Sequence, residues 1–132
     1  MRNPVRTIAE IRLLSTHFGE LDFSEVNPSS VEICHFPLPK GYNRAECRVV
    51  IDLGPEYPEL PPQDFYLDRG LHKHGQVSSH YFNKFDGKRY CNDGYAWYSF
   101  HVKKWHPNPH SMLGGDNLLS AVNAFYNALK TD

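Results

Sequence analysis

The sequence predicts an α+β fold: an N-terminal helix, an antiparallel meander of about four strands, a long irregular loop and a C-terminal amphipathic helix. Two observations carry this prediction. Apolar residues recur at helical spacing near both ends of the chain, and a stretch between them alternates strictly between apolar and charged residues. Because 132 residues are enough to bury one hydrophobic core, we expect a single domain over residues 1–132.

The N-terminal helix is predicted by its cap, its spacing and its stop. Asn3 suits the cap position, and Pro4 suits the first helical position, where a missing N–H costs nothing. Gly19 then supplies a stop. The apolar stripe between them consists of Val5, Ile8, Ile11, Leu14 and Phe18.

Alternating apolar residues predict the strands. Short β-like pieces occupy residues 21–40, with alternation over Val31–Phe36. The clearest strand spans Glu46–Leu53, because its apolar side chains share one face and its charged side chains the other. Cys47 lies on the apolar face and is therefore expected in the core. An aromatic-rich strand follows at Asp64–Asp68.

Prolines and polar residues mark the connections. Gly54–Pro62 contains four prolines, which remove donors and fix φ, so we expect a rigid, extended connection there. Gly70–Lys88 is polar and lacks periodicity, which predicts a long loop. Asp116 is the predicted cap of the last helix. The apolar stripe of that helix consists of Leu118, Leu119, Val122, Phe125, Tyr126 and Leu129.

Composition argues against several classes of function. The formal net charge is −1 at pH 7, so nothing favours binding to nucleic acid or to an anionic membrane. No apolar run has the length of a transmembrane helix, and the N-terminal residues are charged, so we expect a cytoplasmic protein. The three cysteines, Cys34, Cys47 and Cys91, lack paired spacing, which argues against a disulfide framework and a four-cysteine zinc site.

Histidines and aromatic residues cluster in the second half of the chain. His72-x-His74 resembles half of a metal-binding pair, but the further ligands that a metal hydrolase needs at fixed distances are absent. We therefore expect no metal and interpret these histidines as solvated loop residues. The aromatic residues between Tyr90 and Trp105 lack the positive charge that a nucleic-acid platform requires, and we expect most of them to pack inside the protein.

Several motifs, in their order along the chain, resemble those of ubiquitin-conjugating enzymes. The order is a strand, Tyr57-Pro58-x-x-Pro61-Pro62, an aromatic strand, Asp86–Asp93 around a cysteine, Trp105 and an amphipathic C-terminal helix. Three further segments resemble a prokaryotic branch of that superfamily, encoded in bacterial operons beside ubiquitin-like proteins and adenylating activating enzymes. They are Phe36–Asn43, Trp97–His101 and Trp105–Leu118. The resemblance covers about residues 30 to 130, and the shared order of the motifs is its main strength.

This resemblance implies a fold and an activity. The fold would be that of ubiquitin-conjugating enzymes, and the protein would accept a ubiquitin-like protein from an ATP-dependent activating enzyme and transfer it to an amine of a protein target. No cofactor is expected in this chain, because the ATP chemistry belongs to the activating enzyme. The first helix and Tyr57–Pro62 would contact partners. The alternative is a non-catalytic adaptor of the same fold that binds a ubiquitin-like protein or its activating enzyme.

One departure from the family pattern concerns the oxyanion-stabilising residues. Conjugating enzymes carry a His-Pro-Asn about ten residues before the cysteine, whereas the corresponding loop here reads Leu71-His-Lys-His74. His106-Pro107-Asn108 follows Cys91 instead, and we interpret it as coincidental unless the fold brings it to the thiol. The missing tripeptide favours the adaptor, whereas Cys91 in its expected local sequence favours the enzyme.

Cys91 and Ser99 are the two candidate nucleophiles. A thiolate attacks and leaves well, and the cations beside Cys91 could favour that form. Cys91 precedes Trp105 by fourteen residues and Ser99 precedes it by six, against about eight for the cysteine of conjugating enzymes. Ser99 needs a base; on a strand, His101 would share its face and could accept the proton, which would give an oxyester intermediate.

Overall fold

A computed structural model describes residues 3–26, 28–62, 64–81 and 93–132, and it confirms an α+β arrangement with a helix near each end. The helices and strands, in chain order, are α1 (Pro4–Phe18), β1 (Leu21–Phe23), β2 (Ser30–Pro37), β3 (Glu46–Asp52), β4 (Asp64–Asp68), β5 (Tyr95–Ser99) and α2 (Leu118–Thr131). A 3₁₀ turn at Met112–Gly114 precedes α2. No helix in the described part of the chain is long and apolar enough to span a bilayer.

The strands form one antiparallel sheet in the order β1-β2-β3-β4-β5. The described sheet therefore has five strands, where the sequence predicted about four. The strand that lacked a prediction of its own is β5, because all of its residues, Tyr95–Ser99, are aromatic or small and show no alternation of apolar with polar side chains. Pairing with β4 gives β5 its strand structure, and this pairing joins residues about thirty positions apart.

The first helix forms as predicted. The Asn3 side chain accepts hydrogen bonds from the backbone N–H groups of Val5 (3.1 Å) and Arg6 (3.2 Å). Gly19 ends the helix with φ +75°, a left-handed value that favours glycine, and donates its N–H to the Ser15 carbonyl at 2.9 Å.

Both helices lie on one face of the sheet and build the core with it. Apolar residues of α1 and α2 pack with the inward-facing residues of β2 to β5. Phe125 of α2 stacks on Phe65 of β4 with ring centroids 4.3 Å apart, and Cys47 is 2% exposed, as expected from its position in the strand pattern. The opposite face carries a separate cluster of Val50, Tyr66 and Tyr95.

The proline-rich segment Gly54–Pro62 corrects one expectation, because it is a series of turns and not an extended connection. The Tyr57 N–H donates to the Gly54 carbonyl at 3.1 Å, and the Leu60 N–H donates to the Glu56 carbonyl at 2.9 Å. Proline fixes φ near −65°, and that value suits the first turn positions as well as extended chain. Proline content alone therefore did not distinguish the two conformations.

The cap of α2 corrects a second expectation. Asn117, and not Asp116, is the cap: its side chain accepts from the Ser120 N–H at 3.0 Å, and the Ser120 hydroxyl accepts from the Asn117 N–H at 2.9 Å. Both residue types are good caps. The Asp116 carboxylate instead accepts the His106 N–H at 2.8 Å, a contact between residues ten positions apart that the helix pattern does not contain.

Candidate functional site

Ser99 is the last residue of β5 and lies at the edge of the sheet. Strand alternation places it with Tyr95 and Trp97 on the face that carries no helix, whereas Tyr98 faces the core. Its backbone is held from both sides. Asp64 of β4 is its pairing partner, and the Ser99 N–H donates to the His80 carbonyl at 2.8 Å. The residue as a whole is partly exposed, and its backbone is fixed at this position.

His101 lies two residues beyond the end of β5 and is exposed. The strand alternation that would place its ring on the face of Ser99 therefore stops before it. No hydrogen bond joins the Ser99 hydroxyl to the His101 ring within the described residues. The carboxylate across the strand pair from Ser99 is that of Asp64, which accepts the Trp97 indole N–H at 3.0 Å. The catalytic roles of Ser99 and His101 stay predictions.

Cys91 lies outside the described residues, and the chain on either side of its segment is described. Tyr81 forms an isolated antiparallel bridge with Tyr98 of β5, with ring centroids 5.8 Å apart. Asp93 lies two residues before β5 and lines an open cleft with Glu32 and Tyr95. In the sequence, Cys91 precedes the first residue of β5 by four positions, whereas Ser99 is the last residue of that strand.

The two described cysteines are poor nucleophiles. Cys47 is 2% exposed, and burial raises the pKa of its thiol to about 12. Cys34 is partly exposed, but its limited burial and the nearby carboxylates of Glu20 and Glu32 raise the pKa of its thiol as well. Because the thiolate is the reactive form, both thiols should be less reactive near neutral pH than an ordinary cysteine.

His72 and His74, in the loop after β4, are both exposed. The His72 N–H donates to the Asn43 side chain at 3.0 Å. The His74 ring lies so close to Gly41 that an added Cβ there would be 2.7 Å from the His74 Nε2 atom. The described residues contain no group of three or more histidine, cysteine or acidic side chains that could hold a metal ion.

His106-Pro107-Asn108 belongs to a closed loop that packs on the Tyr-Pro segment and on α1. Reciprocal bonds between His106 and Asp116 close the loop: the Asp116 N–H donates to the His106 carbonyl at 3.0 Å, opposite the carboxylate contact described above. The Trp105 indole donates to the Pro58 carbonyl at 2.8 Å, and the Arg6 guanidinium donates to the Asn108 carbonyl. These contacts give the tripeptide a packing role in the structure.

Gly115 fits this loop because it has no side chain. A Cβ at this position would lie 2.5 Å from the His106 carbonyl oxygen and 2.7 Å from the Asn108 nitrogen, both in the backbone. Its φ of −162° is extended and open to any residue, so close packing and not backbone conformation requires glycine here.

A buried carboxylate that the sequence did not single out joins three elements next to this loop. Glu10 of α1 is fully buried and accepts hydrogen bonds from the Tyr57 hydroxyl, from the Leu118 N–H of α2 (2.7 Å) and from the Arg6 Nε (3.0 Å). Burial, together with this carboxylate, raises the pKa of Tyr57. One signal was available: Glu10 lies three residues after Thr7 and four before Leu14, on the buried stripe of α1.

The chain matches the sequence profile of a family described as Prokaryotic E2 family E over residues 11–132. The chain belongs to Prokaryotic E2 family E. E2 is the class of ubiquitin-conjugating enzymes, so membership implies a ubiquitin-conjugating-like role. It also implies, in general terms, interaction with a ubiquitin-like protein and with an activating enzyme. No curated protein and no solved structure gives a significant match to the chain.

For this member of Prokaryotic E2 family E, the matched span contains every element discussed above except the start of α1. It includes Glu10's partners Tyr57 and Leu118, both candidate nucleophiles and the closed loop that begins after Trp105. The resemblance inferred from the motif order is thereby confirmed at the level of the family.

Proposed function

We propose that the protein, as one domain over residues 1–132, accepts a ubiquitin-like protein from an ATP-dependent activating enzyme and transfers it to an amine of a target protein. The observation that carries this proposal is membership of a prokaryotic E2 family across residues 11–132. The residues that perform the transfer are proposed from chemistry and position.

Cys91 is the proposed nucleophile. Its thiolate attacks the thioester carbonyl of the ubiquitin-like protein held on the activating enzyme, whose own thiolate leaves. The amine of the target then attacks the new thioester, Cys91 leaves as a thiolate, and the proton of the amine passes to solvent. The elevated thiol pKa values of Cys34 and Cys47 support this assignment, since neither thiol is readily ionised.

Ser99 is the second candidate, and its fixed, partly exposed position at the end of β5 favours it. A hydroxyl must lose its proton as it attacks, so this route requires a base. His101 is the base that the sequence predicts. This route requires the exposed His101 ring to accept that proton, and the two side chains form no hydrogen bond in the described structure.

The first helix and Tyr57–Pro62 are the proposed partner-binding surface. Val5 on α1 is 80% exposed and Leu60 in the proline-rich turn is 51% exposed, so apolar side chains are available on both elements. The buried contact between Glu10 and Tyr57 fixes the two elements relative to each other. A partner would therefore meet a pre-organised surface.

The proposal predicts a covalent adduct. When the protein is mixed with ATP, a bacterial ubiquitin-like protein and the activating enzyme of that ubiquitin-like protein, intact-mass analysis should show a gain of one ubiquitin-like protein less one water. An excess of a thiol reductant should remove the adduct, because the free thiol exchanges with the thioester. Cys91→Ala should abolish it, and Ser99→Ala should leave it within about twofold.

The matched control is Cys34→Ala, which removes a partly exposed thiol that the proposal does not use. An adduct that survives reductant, yields to hydroxide and disappears in Ser99→Ala would replace Cys91 by Ser99. Binding of the ubiquitin-like protein without any adduct would contradict the conjugating activity and support the adaptor alternative.

A further inference from the structure

The loop between β4 and β5 is fastened to the end of α2 by side-chain hydrogen bonds. The Asp132 carboxylate accepts from the hydroxyls of Ser78 and Ser79, one on each oxygen. The Lys73 ammonium donates to the carbonyl oxygens of Lys130 (2.8 Å) and Asp132 (3.0 Å), which lie at the C-terminal end of α2. Ser78 is only 5% exposed, so this contact is part of the packed structure.

The residues that follow in the same loop pair with the end of β5. The His80 carbonyl accepts the Ser99 N–H at 2.8 Å, and Tyr81 forms a bridge with Tyr98. The ring of His80 meets the ring of Phe100 edge-on, with centroids 5.4 Å apart. Residues 80 and 81 thus continue the sheet beyond β5 at the end where Ser99 lies.

The path from Asp132 to Ser99 is short. The carboxylate holds Ser79, the next residue is His80, and the carbonyl of His80 holds the Ser99 backbone. The Ser78 hydroxyl also accepts the His80 N–H at 3.1 Å, which links the carboxylate to His80 a second time. The ends of edge strands open easily unless another segment pairs with them. By holding His80 in place, the Asp132 contacts should therefore make the Ser99 backbone hydrogen bond open less often.

The carboxylate is ionised near neutral pH, which strengthens its bonds to the two hydroxyls. Partial burial alone would raise the pKa of Asp132, but the hydrogen bonds from Ser78 and Ser79, with the nearby His80, lower it overall. A neutral side chain of the same size should therefore hold the loop less firmly.

We propose that Asp132 is a positioning residue for acyl transfer: it fixes residues 78–81 against β5, and thereby holds the backbone of Ser99 and the described chain that leads toward Cys91. Ser99 is held directly through His80, and Tyr81 is the last described residue before the segment that contains Cys91. This inference rests on the proposed conjugating function and adds a residue at the far end of α2 to it.

The test compares Asp132→Asn and the double variant Ser78→Ala/Ser79→Ala with the matched control Lys130→Ala. Lys130 is on the same helix end, is exposed, and contributes only its backbone carbonyl to the contact. Amide hydrogen exchange at Ser99, measured by NMR, should accelerate roughly three- to tenfold in the first two variants, since a hydrogen bond to a partly exposed charge is lost. The control should match the unmodified protein.

Adduct formation is measured in parallel against the concentration of the loaded activating enzyme. The maximal rate should fall by a similar factor, about three- to tenfold, with an unchanged KM, because the contact lies away from the proposed partner-binding surface. Unchanged exchange at Ser99 in both variants overturns the inference, and so does faster exchange with an unchanged rate of adduct formation. If the unmodified protein forms no adduct, the proposed function fails, and exchange alone decides whether Asp132 holds this part of the chain.

Discussion

At the scale of single residues, the buried carboxylate of Glu10 is the feature with the largest expected effect on stability. It has an ion-pair partner in Arg6 and two further donors in Tyr57 and Leu118. A buried charge is tolerated only when it is paired and hydrogen-bonded, and here both conditions are met. The Leu118 N–H is also at the start of α2, where the helix dipole favours a negative charge.

Glu10→Gln tests this arrangement. The amide oxygen can still accept from Tyr57 and Leu118, but the Arg6 guanidinium loses its counter-charge. The Arg6 Nη2 atom is already buried and has no hydrogen-bond partner among the described residues. We expect a loss of about 3 kcal/mol in the free energy of unfolding, measured by urea titration. Tyr57→Phe removes one hydroxyl and should lose only about 1 kcal/mol. Equal losses in the two variants would contradict an ion pair at Glu10.

At the scale of secondary-structure elements, α2 begins with a complete capping box. Asn117 and Ser120 satisfy each other's backbone N–H groups, and the Asn117 amide also donates to the Met112 carbonyl at 2.9 Å. This last contact ties the helix start to the 3₁₀ turn before it. Asp116, one residue earlier, accepts from the Ser120 hydroxyl at 3.1 Å in addition to closing its own loop.

Asn117→Ala should lower the free energy of unfolding by about 1 to 2 kcal/mol, because it removes the cap and a buried hydrogen bond together. Asn123→Ala is the matched control. Asn123 is exposed in the middle of α2, where alanine has the higher helix propensity, so its replacement should be neutral within about 0.5 kcal/mol. Guanidinium titrations give the free energy of unfolding of the two variants. A loss for Asn117→Ala no larger than the loss for Asn123→Ala would show that Asp116 can take over as the cap.

At the scale of the whole molecule, acid sensitivity should depend on a carboxylate that joins the middle strands. Asp68 of β4 is 6% exposed and accepts three bonds from Arg48 of β3: from its backbone N–H (2.8 Å), its Nε (3.0 Å) and its Nη2 (2.7 Å). Burial alone would raise the pKa of Asp68, but the bonds from Arg48, with Arg44 nearby, lower it overall.

A lowered pKa in the folded protein means that the stabilisation by Asp68 is present above the pKa of the unfolded chain and is lost as the pH falls through the folded value. We expect the Tm of the unmodified protein to fall below about pH 4, near the ordinary pKa of an aspartate. Asp68→Asn should have a lower Tm at pH 7 and a shallower decline in acid. Asp22→Asn, at an exposed position on β1, should retain the decline of the unmodified protein. Parallel acid declines for Asp68→Asn and the unmodified protein would contradict this assignment.

The candidate site was predicted unevenly. The sequence singled out the stretch that forms β5 and named Ser99 on it, and the structure places Ser99 at a fixed, partly exposed strand end. The expected partnership with His101 assumed a strand through both residues, but β5 ends at Ser99. The contact that does hold Ser99 comes from His80, nineteen positions earlier, and no local pattern contains it. Cys91 stays a prediction outside the described residues.

The sequence by itself determined the elements whose signals are local. Asn3, Pro4 and Gly19 defined α1, and alternation over Glu46–Leu53 predicted β3 and the burial of Cys47, because capping and periodicity involve residues within a few positions of each other. The order of motifs was enough to indicate the family to which the chain belongs.

Only the tertiary structure decided which of several locally adequate residues is used. Asn117 caps α2 while Asp116 closes the loop with His106, and β5 is a strand because β4 pairs with it. Glu10 has a local ion-pair partner in Arg6, but its remaining hydrogen bonds in the core come from Tyr57 and Leu118, which reach it from far along the chain. In each case the deciding partner is ten or more positions away. Such contacts form only when the fold closes, so their free energy leaves no periodic signal in the sequence.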